Sequence, residues 1–263
     1  MQLTIECPSG LCGIVTHLEV RDSKCLTDVR AMRSGQAAHA ILQACWKETL
    51  DPGPYKFSGA PDWSKVLACD LIYATLMVRA ATHGNVEELD LQCPACRKKF
   101  VWDLPIDQLP VYPLPPESVA KIAAGDNLFT ATLSNGAVAQ FRLLDGAAQL
   151  KAVESVQECG NEIMLAALTT RVISIEGVDQ TKLGDYIAHL SMHEAQLFID
   201  AFDEVDGGVE TLFDVYCPKC GHEWEVDLPL DLQRMFSPKR RARRRKKEGT
   251  TLHAGPGLET PPV

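Results

Sequence analysis

Residues 92–105 read Gln92-Cys93-Pro94-Ala95-Cys96-Arg97-Lys98-Lys99-Phe100-Val101-Trp102-Asp103-Leu104-Pro105. The same sentence returns 124 positions later, where Cys217-Pro218-Lys219-Cys220 leads through Trp224 to Asp227-Leu228-Pro229. At that one offset Gly84 maps to Gly208, Phe100 to Trp224 and Asp107 to Asp231. The chain therefore carries a duplicated unit: a helical run, a glycine stop, a strand, a Cys-Pro-x-Cys knuckle, a return strand and Asp-Leu-Pro. A Cys-x-x-Cys turn offers two thiolates to one metal, and tetrahedral zinc takes four at about 2.3 Å. The two half-sites are read as one structural Zn2+ site per chain, with Cys93, Cys96, Cys217 and Cys220 as ligands.

The turn chemistry supports that reading. Pro94 and Pro218 hold φ near −65°, as the first inner position of such a turn requires. Gly221 suits the left-handed residue that closes it. Arg97 stands at that place in the first knuckle, where a left-handed conformation costs roughly 1–2 kcal/mol. Two other arrangements stay open. A redox dithiol expects one such pair opening a helix in a βαβ unit, whereas both pairs here lie between strands. Two separate sites would each need further ligands such as His83 or His222, which otherwise read as surface residues. The other six cysteines, Cys7, Cys12, Cys25, Cys45, Cys69 and Cys159, share no spacing repeat and read as buried or half-buried thiols. Cys7 and Cys12 form the one further candidate pair.

At 263 residues, 46% hydrophobic and 23% charged, the chain has the composition of an ordinary globular protein with length enough for a sizeable core. No apolar run approaches the roughly 18 residues of a membrane span. The N-terminus lacks the basic-then-apolar order of a signal peptide, so the protein is expected to stay in a reducing compartment where ten cysteines serve as thiols or ligands. Charge is divided unevenly. Residues 239–263 hold eight Lys/Arg and two Glu, and the remaining 238 residues carry a net −15 out of the total −9. The basic run Lys239–Lys247 and the Gly/Pro/Thr-rich end after it are expected to be a disordered tail.

Along the chain, residues 1–22 read as short strands around Pro8-Ser9-Gly10. Residues 27–50 read as a helix capped by Thr27 and weakened at Gly35, and Asp51-Pro52-Gly53-Pro54 stops it. Asp62 is expected to cap a second helix running to Thr82 and ended by Gly84. Strands on either side of Ser134-Asn135-Gly136 read as a two-residue hairpin, both central residues at positive φ. A helix from Ala147 to about Thr170, a strand at 171–175 and helices at 181–190 and 192–205 precede the second knuckle. The fold class is α+β: helices interleaved with short antiparallel hairpins, the two knuckle hairpins forming one zinc-ribbon-like site. The expected units are 1–110 with the first knuckle, 111–178 as a middle insertion, 179–236 with the second knuckle, and the tail 237–263.

An enzyme is the weakest reading. Four thiolates fill zinc's shell, while a catalytic zinc keeps a position open for water. The chain has no Gly-rich phosphate loop, no His-Glu-x-x-His and no Gly-x-Ser-x-Gly. Asp70 and Arg79 share a predicted helix, but nine residues separate them and they point to opposite faces. A zinc-knuckle nucleic-acid-binding or regulatory protein with an Arg-rich tail is the rival, since the tail would neutralise phosphates. The body's net −15 opposes a polyanion, and neither knuckle interleaves aromatic with basic residues.

Several stretches carry a resemblance. These are Asp203 to Thr211, Cys217-Pro218-Lys219-Cys220-Gly221-His222-Glu223, Asp227-Leu228-Pro229-Leu230, Pro8-Ser9-Gly10-Leu11, Asp51-Pro52-Gly53-Pro54-Tyr55, Asp70 to Gly84, and Phe141-Arg142-Leu143-Leu144. Together they resemble the T4-like bacteriophage baseplate protein family over nearly all of residues 1–236. The resemblance implies a contractile-tail component, either a baseplate hub subunit or a chaperone of hub assembly. Its partners would be other tail and hub proteins, in the host bacterial cytoplasm during assembly and then in the virion tail. The basic tail falls outside the resemblance and is a candidate contact for an acidic partner.

Overall fold

The structure is a computed structural model that describes residues 1–158 and 162–236. Cys159 and the basic tail, and with them the expectations made for both, lie outside the described residues.

The chain begins with β1 (Gln2–Glu6) and β2 (Cys12–Thr16), an antiparallel pair joined across Pro8-Ser9-Gly10. The expected single helix over 27–50 is instead α1 (Val29–Arg33), α2 (Gln36–Cys45) and β3 (Trp46–Asp51). Two causes divide it. Gly35 sits at φ +79° between the helices, a conformation that interrupts an α-helix. Beyond Cys45 the backbone pairs with β2, and the buried Trp46 indole lies over Gly13, where any Cβ would collide with it. The cap is also displaced by one residue: Asp28 Oδ1, not Thr27, accepts the N–H groups of Arg30 and Ala31.

The second helix, α3 (Ala68–His83), starts six residues later than its expected cap. Asp62 closes a local turn with Ser64 and Lys65. Ser64, Val66 and Ala68 give backbone bonds to the middle of the chain: Gly146 N–H donates to Val66, Ala147 N–H to Ser64, and Ala68 N–H to Leu144. Leu71, Ala74, Leu76, Val78 and Ala80 are all buried, so α3 has no polar stripe and behaves as a core helix.

After α3 come β4 (Val86–Gln92), β5 (Lys99–Pro105) and β6 (Val111–Tyr112). The middle region holds α4 (Pro116–Ala124), β7 (Phe129–Thr132), β8 (Val138–Phe141), α5 (Gly146–Glu158), α6 (Ile163–Arg171) and β9 (Val172–Ile175). The helix expected over 147–170 is thus two helices. The Asn-Gly hairpin also differs in detail. Among the described residues only Arg97 is a non-glycine at positive φ, so Asn135 is not left-handed; Gly136 alone is, at φ +84°. Leu133 and Ala137 close a three-residue loop, and Asn135 Oδ1 accepts the Ala137 N–H.

The chain ends its described part with α7 (Leu183–Ala188), α8 (Met192–Val205), β10 (Gly208–Val209), β11 (Leu212–Tyr216), β12 (Glu223–Asp227) and α9 (Leu232–Phe236). The whole is mixed α+β with small antiparallel sheets: β1-β2-β3, β7-β8-β9, and the pairs β4-β5, β11-β12 and β6-β10. Among the described residues two apolar clusters form. One gathers the β1-β2-β3 sheet, α2, α3, the base of the first hairpin, and Leu228, Met235 and Phe236. The other gathers β7-β8-β9 with Leu183, Ile187, Phe198 and Phe202, and reaches Leu67 and Cys69 at the start of α3. The β6-β10 pair ties the chain leaving the first knuckle to the chain entering the second.

Candidate metal centre

The two hairpins repeat each other in register, residue for residue. In the first, Gln92 faces Lys99 and Glu88 faces Asp103; in the second, Tyr216 faces Glu223 and Leu212 faces Asp227. Each pair is the other moved by 124 positions. The knuckle backbones follow suit. Cys93 N–H donates to Lys98 O and Arg97 N–H to Cys93 O, at 3.0 and 2.9 Å. Cys217 N–H donates to His222 O and Gly221 N–H to Cys217 O, both at 2.9 Å. Gly221 has φ +70° and Arg97 φ +57°, so both knuckles close on a left-handed residue and Arg97 takes the strained conformation its position demands.

The folded chain brings Cys93, Cys96, Cys217 and Cys220 together, with all four sulfurs within 4.8 Å of one another. Sγ of Cys93 lies 3.7 Å from that of Cys220, and Sγ of Cys96 lies 3.7 Å from that of Cys217. These separations are far too long for a disulfide, near 2.05 Å. They match the edge of a tetrahedron of thiolates about 2.3 Å from a central ion, which is roughly 3.8 Å. Cys93 and Cys217 are buried, Cys96 is half-buried and Cys220 is exposed at the rim. The thiols perturb one another. Against the effect of burial, the N–H groups of Cys220 and Lys219 and the neighbouring thiols bring Cys217 below the usual thiol range. Against the lowering hydrogen bond from the His222 N–H, burial and the other three thiols together push Cys220 up. Four sulfurs this close ionise together only with a cation among them, and the donor set fits zinc.

Neither candidate histidine belongs to the cluster. His222 stacks on Trp224, their ring centroids 5.9 Å apart, and His83 Nε2 donates to the Phe236 carbonyl at 3.1 Å. Cys7, Cys45 and Cys69 are buried, and burial raises all three thiols, Cys45 to about 12, which leaves them inert.

Sequence reading missed a second convergence. Asp70, fully buried on the first turn of α3, accepts from the Ser9 N–H at 3.0 Å, the Ser9 hydroxyl at 2.5 Å and the Tyr55 hydroxyl at 2.5 Å. The Tyr55 oxygen in turn accepts the Leu67 N–H at 3.0 Å. Burial raises the Asp70 carboxyl above its usual range despite these donors. Pro8-Ser9-Gly10-Leu11, Asp51 to Tyr55 and Asp70 to Gly84, three of the resemblance stretches, therefore meet at one carboxylate. Arg79, also on α3, faces elsewhere as expected: it pairs with buried Glu87 and donates to the carbonyls of Gly84 and Val86.

The chain is thus an α+β body with a buried central helix and one Cys-Pro-x-Cys hairpin repeated once, the two copies closing on a four-sulfur cluster. The family is shown by comparison: the chain matches the model described as T4 bacteriophage base plate protein over residues 20–237. It belongs to that family. No curated protein and no solved structure matches the chain. Among the described residues no helix is long and apolar enough to cross a membrane.

Proposed function

We propose that this chain is a non-enzymatic component of a contractile-tail baseplate, a hub subunit or a chaperone of hub assembly, stapled by one structural zinc. Family membership over most of the chain carries the baseplate assignment. The four-sulfur cluster supports the staple. Cys93, Cys96, Cys217 and Cys220 would hold the ion, and four thiolates leave it no open position for a substrate or a water nucleophile. The ion would join two zinc-ribbon-like hairpins that enclose everything between them in sequence. In this reading residues 1–110 and 179–236 are knuckle units and 111–178 a middle insertion, and the body works by binding other tail and hub proteins. It would do so in the host cytoplasm during assembly and, as a hub subunit, afterwards in the virion.

Elemental analysis of freshly purified protein tests the staple: one zinc per chain is expected, and two or none would refute a shared site. Co-purification from cells making the full tail, followed by identification of the bound proteins, tests the role. Tight, salt-sensitive retention of non-specific DNA on nitrocellulose would favour the nucleic-acid reading instead.

A further inference from the structure

Arg97 occupies a position that the duplicated unit fills with glycine. Its φ of +57° makes it the single left-handed non-glycine among the described residues, while Gly221 serves the same turn at φ +70°. Space does not decide between them, since a Cβ on Gly221 would meet nothing within 4 Å. The difference is backbone strain, present in one knuckle and absent from the other. The first knuckle also carries a support for it: Gln92 Nε2 donates to the Arg97 carbonyl at 3.1 Å. The residue matching Gln92 in the second unit, Tyr216, packs edge-on against Trp102 at 5.0 Å instead.

Arg97 is followed by Lys98 and Lys99, and Lys219 stands on the facing knuckle; all four are exposed. None of them forms an ion pair among the described residues. The strands behind are acidic, with exposed Glu88, Asp90, Asp103, Asp214, Glu223, Glu225 and Asp227. The tip is thus a cationic end on an acidic body. A zinc tetrathiolate would carry −2, and nearby cations ease that charge, but Lys98, Lys99 and Lys219 can do so without strain. An arginine held left-handed at the apex has a use that glycine lacks: its guanidinium presents a planar fork to carboxylates.

We propose that the knuckle tip, Arg97-Lys98-Lys99 with Lys219, is a docking surface for an acidic segment of a partner protein, with Arg97 as its specificity-determining residue. The inference rests on the baseplate reading and names the chemistry of the partner. Nucleic acid fits less well, because the acidic strands behind the tip repel an extended polyanion and a short acidic segment avoids them.

The test uses 15N-labelled full-length protein titrated with an all-Glu peptide of about eight residues, alongside the Arg97→Gly variant. Saturable shifts of the amides of Cys96 to Lys99 and of Lys219 to His222 are expected. Arg97→Gly should keep one zinc per chain, melt about 2 °C or more higher, and bind at that site roughly three- to tenfold more weakly. Shifts confined to Lys239–Lys247, equal binding by the variant, or zinc loss in the variant would each overturn the proposal. So would a single-stranded oligonucleotide of equal charge binding the tip more tightly than the peptide. Failure of the baseplate reading would show separately, as absence of tail proteins in the co-purification.

Discussion

Phe100 and Trp224 hold the same position in the two copies of the repeat, and in the folded chain they meet each other, edge to face, with centroids 6.0 Å apart. The sulfur contacts obey the same exchange. Moving Cys93 and Cys220 to their counterparts gives Cys217 and Cys96, which is the other 3.7 Å pair. The two knuckles are thus related by a local two-fold through the sulfur cluster, with Phe100 and Trp224 as its self-pair. A duplicated hairpin pairing with its own copy buries the apolar side of both at once.

That relation predicts an aromatic coupling. Phe100→Ala and Trp224→Ala should each destabilise the fold, and the double variant should cost less than their sum by about 1 kcal/mol, the usual worth of an edge-to-face pair beyond buried area. Urea unfolding of the four proteins in the presence of zinc measures it. Strict additivity would mean that the rings do not support each other.

The same two-fold makes the four cysteines equivalent in pairs, as ligands of the proposed zinc. Cys93→Ser and Cys217→Ser should lose zinc affinity and thermal stability alike, since each takes one sulfur from one shell. Chelation of the wild-type protein should produce the same softened state. If one variant keeps full zinc and its melting temperature while the other collapses, the knuckles act independently.

The site was more legible in the sequence than the fold around it. A repeat at fixed offset marks the cysteines that cluster, because Cys93 and Cys217 each come with a proline, a closing left-handed residue and matched strands. Helix boundaries carried no such redundancy. The apolar positions of 27–50 suit a helix well, and what ends it at Cys45 is pairing of Trp46 to Asp51 with β2, a long-range event. Asp62 has the chemistry of a cap, yet Ser64, Val66 and Ala68 bond to Ala147, Gly146 and Leu144, which are remote in sequence. The Ser9–Tyr55–Asp70 convergence was hidden for the same reason: three short polar signals have no common spacing to betray that they meet.

Asp70 gives a pH signature. Its carboxyl is raised in the folded protein, chiefly by burial, so the native state holds a proton more tightly than the unfolded chain. Stability from this group is fully present below the unfolded value near 3.9 and is lost as pH rises through the higher folded value. Asp70→Asn cannot titrate, and its amide N–H2 cannot accept from the Ser9 and Tyr55 hydroxyls. The variant should therefore be less stable than wild type, with the deficit largest in acid and narrowing toward neutral pH. Comparing the two proteins at each pH cancels any acid release of the proposed zinc, which would be common to both. A deficit that widens as pH rises would show that the hydrogen bonds to the ionised carboxylate outweigh its burial.

Arg79 and Glu87 join the end of α3 to the first knuckle strand, and both side chains are almost wholly buried, 1% and 4% exposed. Arg79 also satisfies the carbonyls of Gly84 and Val86, which the turn between helix and strand leaves open. Removing one member of such a pair leaves the other charged and without its counter-ion, at a cost of about 3–5 kcal/mol. Arg79→Leu should therefore be among the most damaging single changes outside the cysteines. Glu87→Leu should cost less, because Arg79 keeps its two carbonyl acceptors. The double variant should recover part of the loss, since it buries two leucines and no charge. Denaturant midpoints of the three variants, taken with zinc present, decide the matter. Equal and additive losses would mean that the pair contributes packing alone. In that case the link between the central helix and the knuckle would rest on the apolar contacts of Leu89 and Leu104, both buried in the same cluster as α3.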